Sequence, residues 1–417
     1  MSLSTRMLTG LVAGIAAGIA IAAFQTPFLI RLVSIIEPLG TLWVNALRMT
    51  LIPLVFALLV SGIASAVDTG LIGRVGVRAI VLFLFLLLLA AVFTALVTPP
   101  LLAWLTIDPA TVAFLKSRAE GATLETAKNA PSLVQRLVNL IPVNPIKAAA
   151  EGDILPLIIF AVLFGSAIRR LASEKRRPVE AFFQTVAQAM LVIIDWVLYL
   201  APIGVFALVL PLTQRLGTTL VAALTYYVFL LSGLAFAILL ALYPLTVFLG
   251  RVSLQRFARA IAPAQTIAFS TQSSLAALPA MIEGAEKRLL LPSQITSLVL
   301  PLAVSVFRIG NPVAQVCAAQ FIARLYDVSL GPAQIVTLIA ASVLISLGSV
   351  GLPGGVALLV TLPITFQTVG LPVESIAILV AVDVLPDMFR TPANVTADMA
   401  VATLIARYTK ARISPNR

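Results

Sequence analysis

Residues 381–400 read AVDVLPDMFRTPANVTADMA, within a chain of 417 residues that is 60% hydrophobic and only 11% charged. Asp383, Asp387, Arg390 and Asp398, with the amide of Asn394, interrupt an otherwise apolar run. On a helix turning ~100° per residue, these five positions fall within about 80° of one another, with Thr391 at the edge of the stripe. Val, Leu, Met, Phe and Ala occupy the other faces. A charge at the centre of a membrane helix costs roughly 2.5–3.5 kcal/mol, so the stripe must face protein, water or a ligand.

The rest of the chain supplies the membrane. Soluble domains carry about 25% charged residues, far more than here. Long apolar runs occupy 7–24, 51–67, 80–105, 155–168, 190–212 and 220–249, and shorter ones 295–306, 335–347, 356–369 and 376–382. An all-α polytopic membrane protein follows, because helices satisfy their own backbone in lipid. Arg6 and the run to Ala23 resemble a signal peptide, but with so many spans following they are read as an uncleaved first helix. The net charge of +11 resides in clusters: Arg74/Arg78, Arg169–Arg177, Arg251/Arg256/Arg259, Lys287/Arg288 and Arg407–Arg417. With a cytoplasmic N-terminus, every cluster falls inside, so the excess orients the chain and does not point to nucleic acid. There is no His, which excludes histidine relays and ordinary zinc sites, and Cys317 in its apolar run reads as packing. No cofactor or metal is expected.

Residues 106–135 form the one long polar segment, read as an external loop, and Pro142, Pro145 and Gly152 predict a segmented fourth span. Two apolar segments are interrupted by small and turn-forming residues: AFSTQSSLAALP (Ala268–Pro279) and ISLGSVGLPGG (Ile345–Gly355). Singly, each reads as a buried turn between ordinary helices. Paired, and each followed by a helix with polar groups, they read as re-entrant hairpins of two inverted repeats around a midplane site.

Two readings of the charged stripe compete. Salt bridges could lock helices together, since Asp387 and Arg390 are three residues apart. Alternatively, Arg390 holds a ligand carboxylate in a bidentate fork, Asp387 takes an ammonium and Asn394 donates to a second carboxylate. One Arg against three Asp leaves groups to spare for an acidic zwitterion, which favours the ligand. The sequon Asn394-Val395-Thr396 lies within the helix and is discounted.

DMFRTPANVTAD resembles the last helix of the glutamate/aspartate and dicarboxylate–cation symporter family. RMTLIPLVF (Arg48–Phe56), NPIKAAAEGDILPLIIFAVLFG (Asn144–Gly165) and APIGVFAL (Ala201–Leu208) resemble its second, fourth and fifth helices, and the two interrupted segments its hairpin tips. The resemblance implies a trimeric elevator transporter of the cytoplasmic membrane, with eight transmembrane helices and two re-entrant hairpins. It implies scaffold helices 1–2 in 1–70 and a transport-domain helix 3 in 71–105. The external loop with scaffold helices 4–5 is expected in 106–218, and the rest of the transport domain in 219–417. By the same resemblance Asp387 binds a substrate amino group, Arg390 a side-chain carboxylate, Thr391 and Asn394 contact substrate, and Asp398 ligates sodium. Ser273 and Ser274 on one tip, and Val350, Gly351, Pro353 and Gly354 on the other, would cradle the substrate with backbone groups, which interrupted helices leave free.

The chain also departs from that family. Where sodium-coupled members carry Asn-Met-Asp-Gly-Thr in the seventh helix, it reads Phe307-Arg308-Ile309-Gly310-Asn311. The third helix places Phe83, Leu86 and Leu87 where the family has Tyr and Thr-Ser sodium ligands. Sodium needs oxygens, and none of these side chains offers one. Arg308 is expected to replace the missing cation by neutralising Asp398 or Asp383, the plainer alternative being a snorkelling or structural arginine. Asn311 would alter contacts to the distal carboxylate, Gln272 removes a basic neighbour of Arg390, and Phe389 and Ala397, replacing glycines, would narrow the pocket.

The expected function is secondary transport of glutamate or aspartate without sodium, either uncoupled or coupled to protons on Asp383, Asp387 or Asp398. A C4-dicarboxylate or other acidic solute, possibly still sodium-coupled, is the close alternative. An anion channel is a different class, and a membrane enzyme the weakest reading, since the serines of STQSSL have no His base.

Overall fold

The structure is a computed structural model and describes residues 3–24, 26–64, 70–105, 141–151, 154–216, 218–348 and 354–413. Helices account for nearly all of them, and no strand occurs among the described residues. The external loop expected at 106–135 lies outside these residues.

One group of helices opens the chain. α1 (Leu3–Phe24) and α2 (Pro27–Ala64) belong with α4 (Pro145–Glu151), α5 (Ile154–Arg169), α6 (Ser173–Tyr199) and α7 (Ala201–Leu216) further along the chain. α2 is longer than the apolar run at 51–67 suggested, because it continues through Pro38 and Pro53. The fourth span, expected to be segmented, is described as α4 and α5, and residues 152–153 between them, Gly152 included, lie outside the described residues. α1 packs along α7 through Gly10, Gly14 and Gly18, one helical turn apart. A Cβ on Gly10 would come within 2.4 Å of the Pro202 carbonyl oxygen, and one on Gly18 within 2.7 Å of Thr213 Cβ. Close backbone approach of this kind supplies van der Waals packing where lipid removes the hydrophobic drive between helices. α2 packs on α5, α6 and α7. Trp43 fixes it by donating Nε1–H to the Val197 carbonyl at 2.9 Å, its ring lying against Gly204.

A second group comprises α3 (Gly70–Leu102), α8 (Thr218–Gly250), and everything after them. α9 (Leu254–Thr271) and α10 (Ser274–Glu283) form the first hairpin. Its turn is only Gln272 and Ser273: Gln272 adopts a left-handed φ of 54°, and the Ser273 hydroxyl caps α10 by accepting from Ala276 N–H at 3.2 Å. A π-turn at Gly284–Arg288 leads into α11 (Ser293–Val306). The chain then extends at Phe307, with φ −113° and ψ 102°, before α12 (Gly310–Leu325) resumes. The break lies at 307–309; Pro312 does not cause it but sits in the first turn of α12, where its missing N–H costs little. α13 (Pro332–Gly348) and α14 (Gly354–Val369) pack on each other as the second hairpin. Gly354 opens α14, while Val350, Gly351 and Pro353 lie outside the described residues. After a 3₁₀ turn, α15 (Ile376–Val382) meets α16 (Val384–Ile413) at Asp383.

α16 is the hub of this second group, lying against α8, α9, α10, α11, α12 and α14, and α3 packs against α11, α12 and α13. Gly76–Leu102, Thr219–Gly250 and Ser293–Leu325 are long and apolar enough to cross a bilayer. The last of these contains the break.

Gly10→Val should destabilise the protein by roughly 1–3 kcal/mol through overpacking against α7. Gly233→Ala, where a Cβ meets nothing within 4 Å, should be nearly neutral. Thermal unfolding of the two variants in detergent measures the difference.

Candidate functional site

The charged stripe is buried. Arg390, on α16, is 2% exposed, and its Nη2 donates to Asp383 Oδ2 at 2.5 Å and to Asp387 Oδ1 at 2.9 Å. The sequence made Asp387–Arg390 a candidate pair; the structure adds Asp383, held at the α15–α16 junction, so that one guanidinium ties two carboxylates across a helix discontinuity. Thr391 donates Oγ1–H to the same Asp387 oxygen at 3.4 Å. Arg390 Nε and Asp383 Oδ1 have no hydrogen-bond partner. Both halves of the opening ambiguity therefore survive: Arg390 is already paired, and it keeps an unused donor.

Asn394, one turn further along, accepts from Gly310 N–H through Oδ1 at 2.8 Å. That bond ties the break before α12 to α16. It also presses the start of α12 against α16, where a Cβ on Gly310 would lie 2.9 Å from Arg390 Cβ. Asn311 follows in the same turn and is buried. Asp398 is fully buried, and neither of its oxygens accepts a hydrogen bond among the described residues.

Arg308 lies in the break before α12, half-buried. It lies within electrostatic range of Asp387 and Asp398. Asp383, the other acid it was expected to neutralise, is paired with Arg390. On the other side of the break the rings of Phe83 and Phe307 stack at 4.5 Å between centroids, 11° from parallel, both fully buried. Leu86, Leu87 and Ile309 are buried too. These five positions, where sodium ligands were expected to be missing, belong to the packed apolar core.

The first hairpin reaches the stripe. Gln272 donates Nε2–H to the Val384 carbonyl at 3.0 Å, tying the tip to the first residue of α16. Ser274 is buried and Ser273 half-buried beside it. Phe389 requires a correction. Its ring is edge-on to Phe269 of α9 and Phe236 of α8, at 5.7 and 6.4 Å, so it packs between helices and does not narrow the pocket. Ala397 is fully buried.

The sequence reading missed Tyr227. It is fully buried on α8, rests against Phe321 with ring centroids 4.9 Å apart, and lies within electrostatic range of Asp383 and Arg390. The one available signal was the polar Tyr226-Tyr227 pair inside an apolar helix, which says nothing about what it faces. No cluster of His, Cys, Asp and Glu able to hold a metal occurs among the described residues.

Asp383→Asn removes a charged hydrogen bond from Arg390 and should destabilise the ligand-free protein by roughly 1.5–3 kcal/mol. Asp398→Asn removes a buried charge that accepts no hydrogen bond and should change stability little. Thermal unfolding without substrate separates the two.

The sodium:dicarboxylate symporter family matches residues 3–408. A proton/sodium-glutamate symport protein of Geobacillus stearothermophilus is 29% identical, over 98% of this chain and 94% of its own length. A proton/glutamate-aspartate symporter of Escherichia coli is 29% identical over 90% of this chain and 86% of its own. A neutral amino acid transporter B(0) of Oryctolagus cuniculus is 32% identical over 96% and 79%. These are transporters, which sets aside the enzyme reading and makes the chain a multi-pass membrane protein. With nearly its whole length matched, the chain belongs to the sodium:dicarboxylate symporter family.

Proposed function

We propose that the protein carries an acidic amino acid, glutamate or aspartate, across the cytoplasmic membrane without sodium. The carrying observation is the buried Asp383–Arg390–Asp387 cluster, bordered by the first hairpin tip and the break before α12. Arg390 is suited to a carboxylate, and an incoming substrate replaces part of its internal pairing. Asp387, released from Arg390, takes the substrate ammonium, while Thr391, Asn394 and Asn311 line the site with polar groups. Exchanging one ion pair for another keeps each buried charge compensated, which the low-dielectric interior demands. Relatives named as glutamate and glutamate-aspartate symporters support this substrate class.

Sodium independence rests on the Phe83–Phe307 stack with Leu86, Leu87 and Ile309, which supplies hydrocarbon where a hard cation needs oxygen. Arg308 provides a fixed positive charge toward Asp387 and Asp398 in its place. Energy then comes from a proton gradient or from the substrate's own gradient. The transport motion is an elevator displacement within a homotrimer. The second packing group, α3 with α8–α16, is the moving body, and α1, α2 and α4–α7 the scaffold, a division supported by how the helices pack.

One observation favours a second reading. Asp387 is already held by Arg390, so a dicarboxylate lacking an amine could bind Arg390 with Asp387 left to Arg308.

Aspartate and glutamate binding to the purified protein, first in sodium-free buffer and then with sodium added, tests the main claim. Equal affinity in both is expected; binding that requires sodium overturns the reading of Phe307 and Arg308. Asp387→Asn should abolish amino-acid binding, by well over tenfold, and spare succinate. Unchanged aspartate affinity in that variant selects the dicarboxylate reading.

A further inference from the structure

Five arginines gather at one end of the second packing group, away from the charged stripe. α8 ends at Gly250, and the turn Arg251-Val252-Ser253 leads into α9, which carries Arg256 and Arg259 on its first turns. Arg288 closes the π-turn after the first hairpin. Arg256 donates Nε–H to the Arg288 carbonyl at 2.6 Å, and Arg288 donates Nη1–H to the Arg259 carbonyl. Arg407, near the end of α16, donates Nη1–H to the Leu249 carbonyl beside Arg251. Side chain to backbone, these bonds join the ends of α8, α9, the π-turn and α16 into one rigid cationic surface.

The charge there is not neutralised. Among the described residues, none of the five arginines has a carboxylate within ion-pair distance. The two nearby acids are committed elsewhere: Glu283 to Lys287 at 2.9 Å and Glu286 to the Thr296 hydroxyl at 2.6 Å. Arg251, Arg256, Arg259 and Arg288 are exposed, and among the described residues no hydrogen bond engages the side chains of Arg251 and Arg259.

The patch is not purely polar. Phe248, Leu254, Leu290 and Tyr408 stand among the arginines and are 77%, 56%, 63% and 56% exposed. A surface built for a soluble anion would not expose four large apolar side chains around its cations. A surface at the edge of a bilayer would, with the apolar groups in the acyl boundary and the guanidinium groups at phosphate height.

We propose that this surface binds the phosphate headgroups of anionic phospholipids in the cytoplasmic leaflet, with Arg251 and Arg259 as ligands whose donors are not already used. Each basic residue near an anionic leaflet contributes about 1 kcal/mol, so the cluster prefers anionic over zwitterionic lipid strongly. If the elevator reading holds, the patch belongs to the moving body, so lipid binding there favours the state in which it meets the inner leaflet. The binding itself does not depend on that reading, on the substrate or on the coupling ion.

The test is lipid retention on purified full-length protein, from mixed vesicles of phosphatidylglycerol and phosphatidylcholine. Wild type should retain phosphatidylglycerol selectively. R251Q/R259Q should lower its apparent affinity on the order of tenfold or more, and R251K/R259K should restore most of it. The thermal unfolding profile of each variant confirms that the fold is intact, and neither substitution touches the charged stripe. Equal retention by wild type and R251Q/R259Q overturns the proposal. So does displacement of the lipid by inorganic phosphate, which would make the patch a site for a soluble anion.

Discussion

One buried cation organises the centre of this protein. Arg390 holds Asp383 and Asp387 with a single nitrogen, and the three are almost completely withdrawn from solvent. Such a cluster is tolerable in a membrane only if every charge has a partner, since an unpaired one is costly. Asp383 can reach Arg390 because α15 and α16 are separate segments meeting at that residue. The ion pair and the helix discontinuity therefore require each other.

The same logic runs through the neighbouring breaks. Interrupted helices leave backbone groups without intrahelical partners, and side chains from neighbouring elements tie these places together. Gly310 N–H, at the start of α12, finds Asn394, and the Val384 carbonyl, at the start of α16, takes the Gln272 amide from the first hairpin tip. Irregular backbone at membrane depth survives where it is lined by protein. Here the polar stripe answers the break before α12 through Asn394, with an Arg390 donor and the Asp398 carboxylate that have no hydrogen-bond partner among the described residues beside it.

Much of this was legible in the sequence because membrane proteins write their exceptions plainly. Charges on one face of an apolar helix, and Ser- and Gly/Pro-rich interruptions in paired positions, have few explanations in lipid. The paired arms of the first interrupted segment, α9 and α10, followed directly. Phe389 was misread because a helix wheel gives a direction but not a neighbour: its ring found Phe236 and Phe269 on adjacent helices. Tyr227 and the α1–α7 glycine contact were missed for the same reason, since each depends on what another helix presents.

The sequence by itself determined that the chain is a helical membrane protein with a charged stripe along one face of its last helix and two interrupted apolar segments. Those are properties of residue type and periodicity, which the chain carries locally. Only the tertiary structure decided that Arg390 holds both Asp383 and Asp387, that Arg308 comes within electrostatic range of Asp387 and Asp398, and that Phe83 stacks on Phe307. Partners far apart in sequence, or across a helix break, are chosen by packing, and the energy of a buried charge depends on the partner it reaches.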